Sequence, residues 1–468
     1  MERLLKQIYG YDTFKDGQRE VIQEVVKGKD VLALFPTGYG KSLCYELPTY
    51  VHQQTTIIVS PLLALMEDQV MRMKMRGEKS VVALNSFLTY REKQQVLQRL
   101  SHYRFIFLAP EMLLREEVVQ ALQKVKVGLV AIDEAHCISE WGFDFRPEYL
   151  KLGEVVKKIG SPPIIALTAT ANERVVDDIR HYLQMEQPYI YRHSFDRPNI
   201  YYRIESYSTR VEKEERLIQL VLTTAAPGIV YMSSRQKTEE VAEQLQRLGI
   251  RAEAYHAGKS SLERMYIYEQ YMRDDIEWVI ATTAFGMGID KPNIRHVIHE
   301  QLPLSIVSYV QEVGRAGRDG EQAIATLLFT PKDVERAQFL TTSHLPTKNE
   351  IRQYLQRERV VEQWPEEKKE LLATYQSLYF GEEEVIVDAI ERLNELKLTD
   401  LQQMYAFVYH TGCYREQLLS FFDEALSTRP TYCCKNCHED FLLLRKKEQF
   451  HERRIEEGWK KRLRTLLD

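Results

Sequence analysis

Short, fully apolar runs alternate with stretches of helical periodicity along most of the chain. The first series predicts strands at residues 31–34, 56–60, 105–108, 129–132 and 164–167. Runs that are apolar at every position, rather than at every second one, suit strands buried on both faces. That reads as a parallel sheet with helices on either side. After Phe195-Asp-Arg-Pro-Asn199 the rhythm restarts, with strands predicted at 228–231, 251–255, 278–281, 296–299 and 323–329. The fold class is therefore α/β, with two consecutive domains expected over 1–200 and 201–345 and a ligand cleft between them. Beyond residue 345 the pattern turns helical and charged, broken at Pro365 and Gly381. Residues 346–400 read as a helical connector with no chemistry of their own.

The 468 residues are enough for two or three domains, and 44% hydrophobic with 28% charged residues is ordinary for a soluble globular protein. No apolar run has membrane-spanning length and the N-terminus lacks a signal-peptide layout, so a cytoplasmic protein is expected. A net charge of −5 gives no global attraction for polyanions, so any such partner must meet local basic surface.

Candidate chemistry begins at Phe35-Pro-Thr-Gly-Tyr-Gly-Lys-Ser42, directly after the first predicted strand. Gly38 and Gly40 let backbone N–H groups curl around a phosphate. Thr37 belongs to the same cradle, Lys41 is placed to reach β/γ-phosphates, and the Ser42 hydroxyl to ligate Mg²⁺. Phe35 stands where the general pattern has its first glycine. Asp133-Glu-Ala-His136 ends another apolar strand, with Asp133 to hold the metal and Glu134 to polarise the attacking water. Alone, the first run has a Gly-rich turn as its plain alternative and the second a helix cap. Both together, in this order, describe a nucleoside-triphosphatase.

Gln311-Glu-Val-Gly-Arg-Ala-Gly-Arg318 adds the cations that such a site needs when charge builds on the γ-phosphate. Arg315 and Arg318, three apart, are expected on one helical face of the second domain. The neighbouring Ala281-Thr-Thr-Ala-Phe-Gly-Met-Gly-Ile-Asp290 reads as a glycine-broken strand end facing the same cleft. Domain closure would then gate hydrolysis.

At this point the chain resembles the RecQ family of superfamily 2 DNA helicases, over about residues 5–340 and again over 401–440. The resemblance is carried by Gly10-Tyr-Asp-Thr-Phe-Lys-Asp-Gly-Gln18, Ser60-Pro-Leu-Leu-Ala-Leu-Met-Glu-Asp-Gln69 and Asp133-Glu-Ala-His-Cys-Ile-Ser-Glu-Trp-Gly-Phe-Asp-Phe-Arg-Pro-Glu148. Ala166-Leu-Thr-Ala-Thr170, Tyr255-His-Ala-Gly258 and the Arg315/Arg318 run complete it. It implies two tandem RecA-like domains followed by a zinc-binding module, with ATP held by Tyr11, Lys15, Gln18 and the phosphate loop, and with Gln311 and Asp290 in the site. Lys15 stands where the family usually has arginine, which removes a planar stacking surface. Tyr39 replaces a common glycine and is expected to be exposed rather than functional.

The resemblance also implies a DNA-binding aromatic loop, with Trp141, Phe143 and Phe145 to stack on single-stranded bases and Arg146 to meet a phosphate. Phe143 stands where the family commonly has histidine, and plain core is the alternative for these rings. Ser60, Gln69, Ser233, Arg235 and His256 are further candidates for the DNA backbone, His256 with a structural histidine as its alternative.

Cys413, Cys433, Cys434 and Cys437 gather late in the chain, whereas Cys44 and Cys137 stand apart. A Cys-x₂-Cys turn with distant thiolates suits tetrahedral Zn²⁺ in a closed, structural site. His438 or Asp440 is an alternative to Cys433 as fourth ligand, and a redox dithiol is the alternative to metal. The arrangement resembles the family's zinc module, expected over 401–442. The chain stops soon after it, so the winged-helix and helical DNA-binding domains often found in the family are not expected. Residues 443–468 are basic, with Ile455, Trp459, Leu463 and Leu467 at four-residue spacing, an amphipathic tail that packs on the body, binds DNA or binds a protein partner.

The expected activity is an ATP-dependent DNA helicase, 3′→5′ by the resemblance, acting on single strands and their junctions with duplex, as a monomer, in repair or recombination. An ATP-switched strand-annealing or DNA-binding module is the second reading. An RNA helicase with the same motor is the third.

Overall fold

The computed structural model describes residues 1–443 except Thr37, Leu62, Ser86, Phe87, 140–145, Met287, Gly288, Asp290, His344, Glu439, Asp440 and Leu442. Thr37, Asp290, Trp141, Phe143, Phe145, Asp440 and the tail beyond 443 thus lie outside the described residues.

The first sheet contains β1 (Val31–Leu34), β2 (Thr55–Val59), β3 (Val81–Leu84), β4 (Phe105–Leu108), β5 (Val127–Ile132), β6 (Ile164–Thr168) and β7 (Tyr189–Arg192). All are parallel, in the order β3-β4-β2-β5-β6-β1-β7. The second sheet contains β8 (Ile200–Ser206), β9 (Gly228–Tyr231), β10 (Ala252–Tyr255), β11 (Trp278–Ala281), β12 (His296–His299) and β13 (Ala323–Phe329). It too is parallel, in the order β10-β11-β9-β12-β13-β8.

Alternate residues of each strand feed separate cores. Leu32 and Leu34 pack with Val130 and Ile132 on one face, while Val31 and Ala33 pack with Ile165 and Leu167 on the other. Ile229 and Tyr231 likewise face one core of the second sheet, and Val230 with Trp278 the other. Burial on both sides is why these strands are apolar throughout.

Three strands were not among those predicted, although β3 is itself the apolar run Val-Val-Ala-Leu. β3 is a short edge strand, and β7 is an edge strand whose residues keep partial contact with solvent. β8 carries Arg203 and Glu205, both buried, with Arg216 donating to the Glu205 carboxylate at 2.9 Å. Buried charge is tolerated there because it is paired.

Helices Lys348–Leu355, Glu366–Leu378 and Glu383–Val408 follow the second sheet, and the last runs unbroken through the expected join at residue 400. Its C-terminal half (Leu401, Met404, Phe407) joins Tyr414, Leu418, Cys433 and Cys434 in the core of the second sheet. The cysteine loop also extends that sheet's edge. Tyr202 N–H donates to the Cys433 carbonyl (3.3 Å) and Lys435 N–H to the Tyr202 carbonyl (2.9 Å). Covering β8 in this way removes an exposed strand edge.

Candidate active site

β1 and β5 deliver the phosphate loop and the acidic pair to the carboxyl edge of the first sheet, where ligands of open parallel sheets bind. Gly38 and Gly40 have φ of 77° and 88°, a region that side chains disfavour. Lys41 Nζ is buried with no hydrogen-bond partner among the described residues, and lies 3.7 Å from Glu134 Oε2. The loop then enters helix Leu43–His52, where buried Glu46 accepts from Tyr9 Oη (2.6 Å) and Arg76 Nη2 (2.8 Å).

Asp133 is anchored by its N–H to the Val59 carbonyl (2.8 Å) and accepts from Glu134 N–H (3.0 Å). Glu134 adopts left-handed φ, ψ of 47° and 48°. For a non-glycine residue this costs roughly 1–2 kcal/mol, and it turns the carboxylate toward Lys41 and His136. His136 Nδ1 lies 3.5 Å from Glu134 Oε2 and 2.9 Å from Thr168 Oγ1. Burial, then the charge of Glu134, pushes Asp133 up to about 6. Burial opposes ionisation of Glu134 as well, but Lys41 and then His136 hold it below the ordinary carboxylate range. A buried ammonium that faces a glycine-lined loop, with only the Glu134 carboxylate near it at 3.7 Å, fits a polyphosphate. A crowded carboxylate pair fits a divalent cation, with Ser42 and Asp133 as its donors.

The second sheet closes over this edge. Gln311 Nε2 donates to Thr170 Oγ1 at 3.1 Å and stands 3.5 Å from His136 Nε2. Arg318 crosses to the phosphate loop, since a Cβ placed on Gly38 would lie 2.7 Å from Arg318 Cδ. Its Nη1 donates to the Ile289 carbonyl at 2.6 Å, beside the glycine-broken strand end. Arg315 is buried and its charge also favours ionised Glu134. The two arginines do not share a helical face as expected. Helix Ile306–Val313 ends before them, and the chain turns through Gly314 and Gly317 (φ 55°). Arg197 grips this turn through the Gly314 (3.2 Å), Ala316 (3.0 Å) and Gly317 (2.8 Å) carbonyls, and Asn199 donates to the last as well. Arg197 and Asn199 were legible in the sequence only as part of the break between domains.

The thiols of Cys413, Cys433, Cys434 and Cys437 lie within 4.8 Å of one another. The sulfurs of Cys413 and Cys433, and those of Cys434 and Cys437, lie 3.5 Å apart. Cys413 stands at the N-cap position of helix Tyr414–Phe421 without a side-chain capping bond, and Cys437 N–H closes the turn on the Cys434 carbonyl at 3.0 Å. A hydrogen bond from Cys433 pulls Cys434 down to about 4, while burial and its sulfur neighbours push Cys437 up to about 12. Four sulfurs this close cannot all ionise without a cation, and the set fits tetrahedral zinc. Among the described residues His438 is not part of the group.

Comparison with known proteins adds three matches along the chain. The DEAD/DEAH box helicase model matches residues 15–179, the helicase conserved C-terminal domain 212–320 and the RecQ zinc-binding model 331–438. The probable ATP-dependent DNA helicase RecS of Bacillus subtilis is 38% identical over 100% of this chain and 98% of its own length. The chain belongs to the RecQ family. ATP-dependent DNA helicase RecQ of Pasteurella multocida is 44% identical over 70% of this chain, which spans only 52% of that relative. The fold of the DUF1998 helicase MrfA, in a DNA-bound crystal structure, aligns with 72% of this chain and 52% of MrfA, with a TM-score of 0.59 at 20% identity.

Of the remaining residues suggested by the RecQ family, Tyr11 is 62% exposed and Lys15 is exposed beside the phosphate loop. Gln18 is buried, its Nε2 donating to the Tyr39 (3.0 Å) and Gly40 (3.3 Å) carbonyls. Tyr39 is not exposed as expected. It is half-buried, stacked on Phe35 with centroids 5.3 Å apart and set against His193 at 4.4 Å.

The candidates for nucleic acid are less uniform. Ser60 is buried at the end of β2, while Gln69 and Ser233 are partly exposed and Arg235 is exposed. Arg146 is paired with Glu111 at 3.2 Å. His256 is not presented as a phosphate contact. Its Nε2 meets Glu239 at 3.0 Å and its Nδ1 accepts from Gly258 N–H at 3.1 Å, so the ring is satisfied internally. Among the described residues no helix is long and apolar enough to cross a membrane.

Proposed function

We propose that the chain is an ATP-dependent DNA helicase that translocates 3′→5′ on single-stranded DNA and separates duplexes, in DNA repair or recombination. The observation that carries this reading is the reach of Gln311 and Arg318, from the second sheet, onto Thr170 and the phosphate loop of the first. RecS and RecQ are named as ATP-dependent DNA helicases, which supports the activity; the polarity rests on family resemblance alone.

In this reading Lys41 and the loop N–H groups hold the phosphates, and Ser42 with Asp133 would hold Mg²⁺. Such a cation would supply charge neutralisation for the triphosphate. Glu134, kept ionised by Lys41 and His136, accepts a proton from the attacking water. Arg315 and Arg318 stabilise charge that develops as the γ-phosphate departs. Because these groups come from both sheets, hydrolysis and domain opening are linked, and alternate gripping of DNA by the two domains produces movement.

The test is ATP hydrolysis with and without single-stranded DNA, beside unwinding of duplexes bearing a 3′ or a 5′ overhang. Stimulation with 3′-selective unwinding is expected. Stimulated hydrolysis without unwinding would favour the annealing module, and stronger stimulation by RNA the RNA helicase.

A further inference from the structure

Lys15, Gln18 and Tyr39 form one closed unit at the outer side of the phosphate loop. Lys15 N–H donates to Gln18 Oε1 at 2.9 Å, and Gln18 Nε2 donates to the Tyr39 carbonyl at 3.0 Å. The circuit closes through side chains. Lys15 Nζ stands 5.1 Å from the centre of the Tyr39 ring and 3.4 Å from the Gly38 carbonyl oxygen.

The ring that receives the ammonium is itself fixed. Phe35 lies parallel to it, with an interplanar angle of 10°. Phe35 in turn packs on Tyr191 at 5.2 Å, and His193 closes on Tyr39 from the end of β7. Aromatic residues at 35 and 39 thus build a column inside a loop whose chemistry asks for backbone N–H groups, glycines, Lys41 and Ser42 but for no ring. A lysine stem at an exposed position samples many rotamers, and a fixed π-face with an adjacent carbonyl narrows them to one region.

We propose that Tyr39 is a positioning residue for nucleotide binding, holding the Lys15 ammonium at the outer side of the phosphate loop, where the resemblance to the RecQ family puts the adenine. This rests on the reading of the loop as an ATP site. The ammonium offers the nucleobase a cation for its π-face or its ring nitrogens, the service that a planar guanidinium would otherwise perform by stacking. Tyr39 acts only through Lys15, so its contribution is felt by a nucleotide and not by a bare triphosphate.

The experiment measures equilibrium binding of Mg²⁺–ATP and of Mg²⁺–tripolyphosphate to the full chain, for wild type, Tyr39→Leu, Tyr39→Phe, Lys15→Ala and the Tyr39→Leu/Lys15→Ala double variant. Leucine keeps apolar bulk against Phe35 but has no π-face, whereas phenylalanine keeps the ring. Tyr39→Leu is expected to weaken ATP binding about two- to fivefold, the range of an exposed cation–π contact. Tyr39→Phe should match wild type, the double variant should match Lys15→Ala, and tripolyphosphate binding should not change. Unaltered ATP affinity in Tyr39→Leu, additive losses in the double variant, or an equal loss for tripolyphosphate would each overturn the proposal. A wild-type chain that binds no ATP would remove the ATP-site reading and this inference with it. ATP binding that ignores Tyr39→Leu removes the inference alone.

Discussion

Arg415 of the zinc module forms a buried ion pair with Asp196, in the segment that joins the two sheets. The same guanidinium donates to the Arg197 carbonyl at 2.9 Å and stacks 5.0 Å from the Tyr202 ring. Arg197 then holds the turn that carries Arg315 and Arg318. Zinc module, linker and arginine turn are therefore one hydrogen-bonded assembly, with Phe195 stacked on Phe422 at 4.4 Å beside it.

Arg415→Met should destabilise the chain by about 3 kcal/mol, the low end for breaking a buried pair, because Asp196 keeps some access to water. Denaturant unfolding measures this. Zinc content should hold while the turnover rate falls more than ATP affinity, and an unchanged turnover rate would mean that the linker does not position the arginine turn.

Glu134→Gln keeps the shape of the site but removes the proton acceptor. Hydrolysis should fall by about 10²–10⁴-fold with ATP binding retained. A variant that hydrolyses ATP normally would move the base elsewhere.

Arg318→Ala leaves Lys41 and the loop glycines in place. The turnover rate should drop by about 10³-fold or more, in the range of arginines that complete a phosphoryl-transfer site, with little change in ATP affinity. A fall in affinity alone would assign Arg318 to ground-state binding.

Asp400 lines a cavity of about 100 Å³ with His136, Thr170, Asn172 and Arg174. Burial pushes its carboxyl up to about 7, with Lys397 opposing the shift. The folded chain thus holds this proton more tightly than the unfolded chain, whose aspartates titrate near pH ~3.9. Its contribution to stability declines as pH rises from about 4 to about 7. Asp400→Asn should therefore raise Tm above pH 7 by about 2–4 °C relative to wild type, with a smaller difference at pH 5. An equal shift at both values would refute the assignment.

Removal of zinc by a chelator should loosen the loop that covers β8, since Cys433 and the Cys434–Lys435 step supply its pairing to Tyr202. Tm should fall, and amide exchange at Tyr202 and along β8 should quicken. Exchange confined to residues 431–438 would show that the cluster does not support the sheet.

Local pattern determined a good deal of this protein. β1, β5, β9 and β11 carry no charged residue because helices cover both faces, and periodicity reports burial directly. The phosphate loop and Asp133-Glu134 were legible because each places its donors within a few residues at a strand end, and the cysteine cluster because Cys433, Cys434 and Cys437 share one turn, with Cys413 twenty positions before it. Tertiary structure decided which distant groups meet. Gln311 finds Thr170 across 141 positions, and Arg415 finds Asp196 across 219. It also packed Tyr39 into an aromatic column, hid the charges of β8 and set Arg315 and Arg318 on a turn rather than a helix. The reason is that spacing encodes backbone period and the side a residue faces. Pairing of polar groups depends on how parallel crossovers order the strands, and that order is written in no single segment.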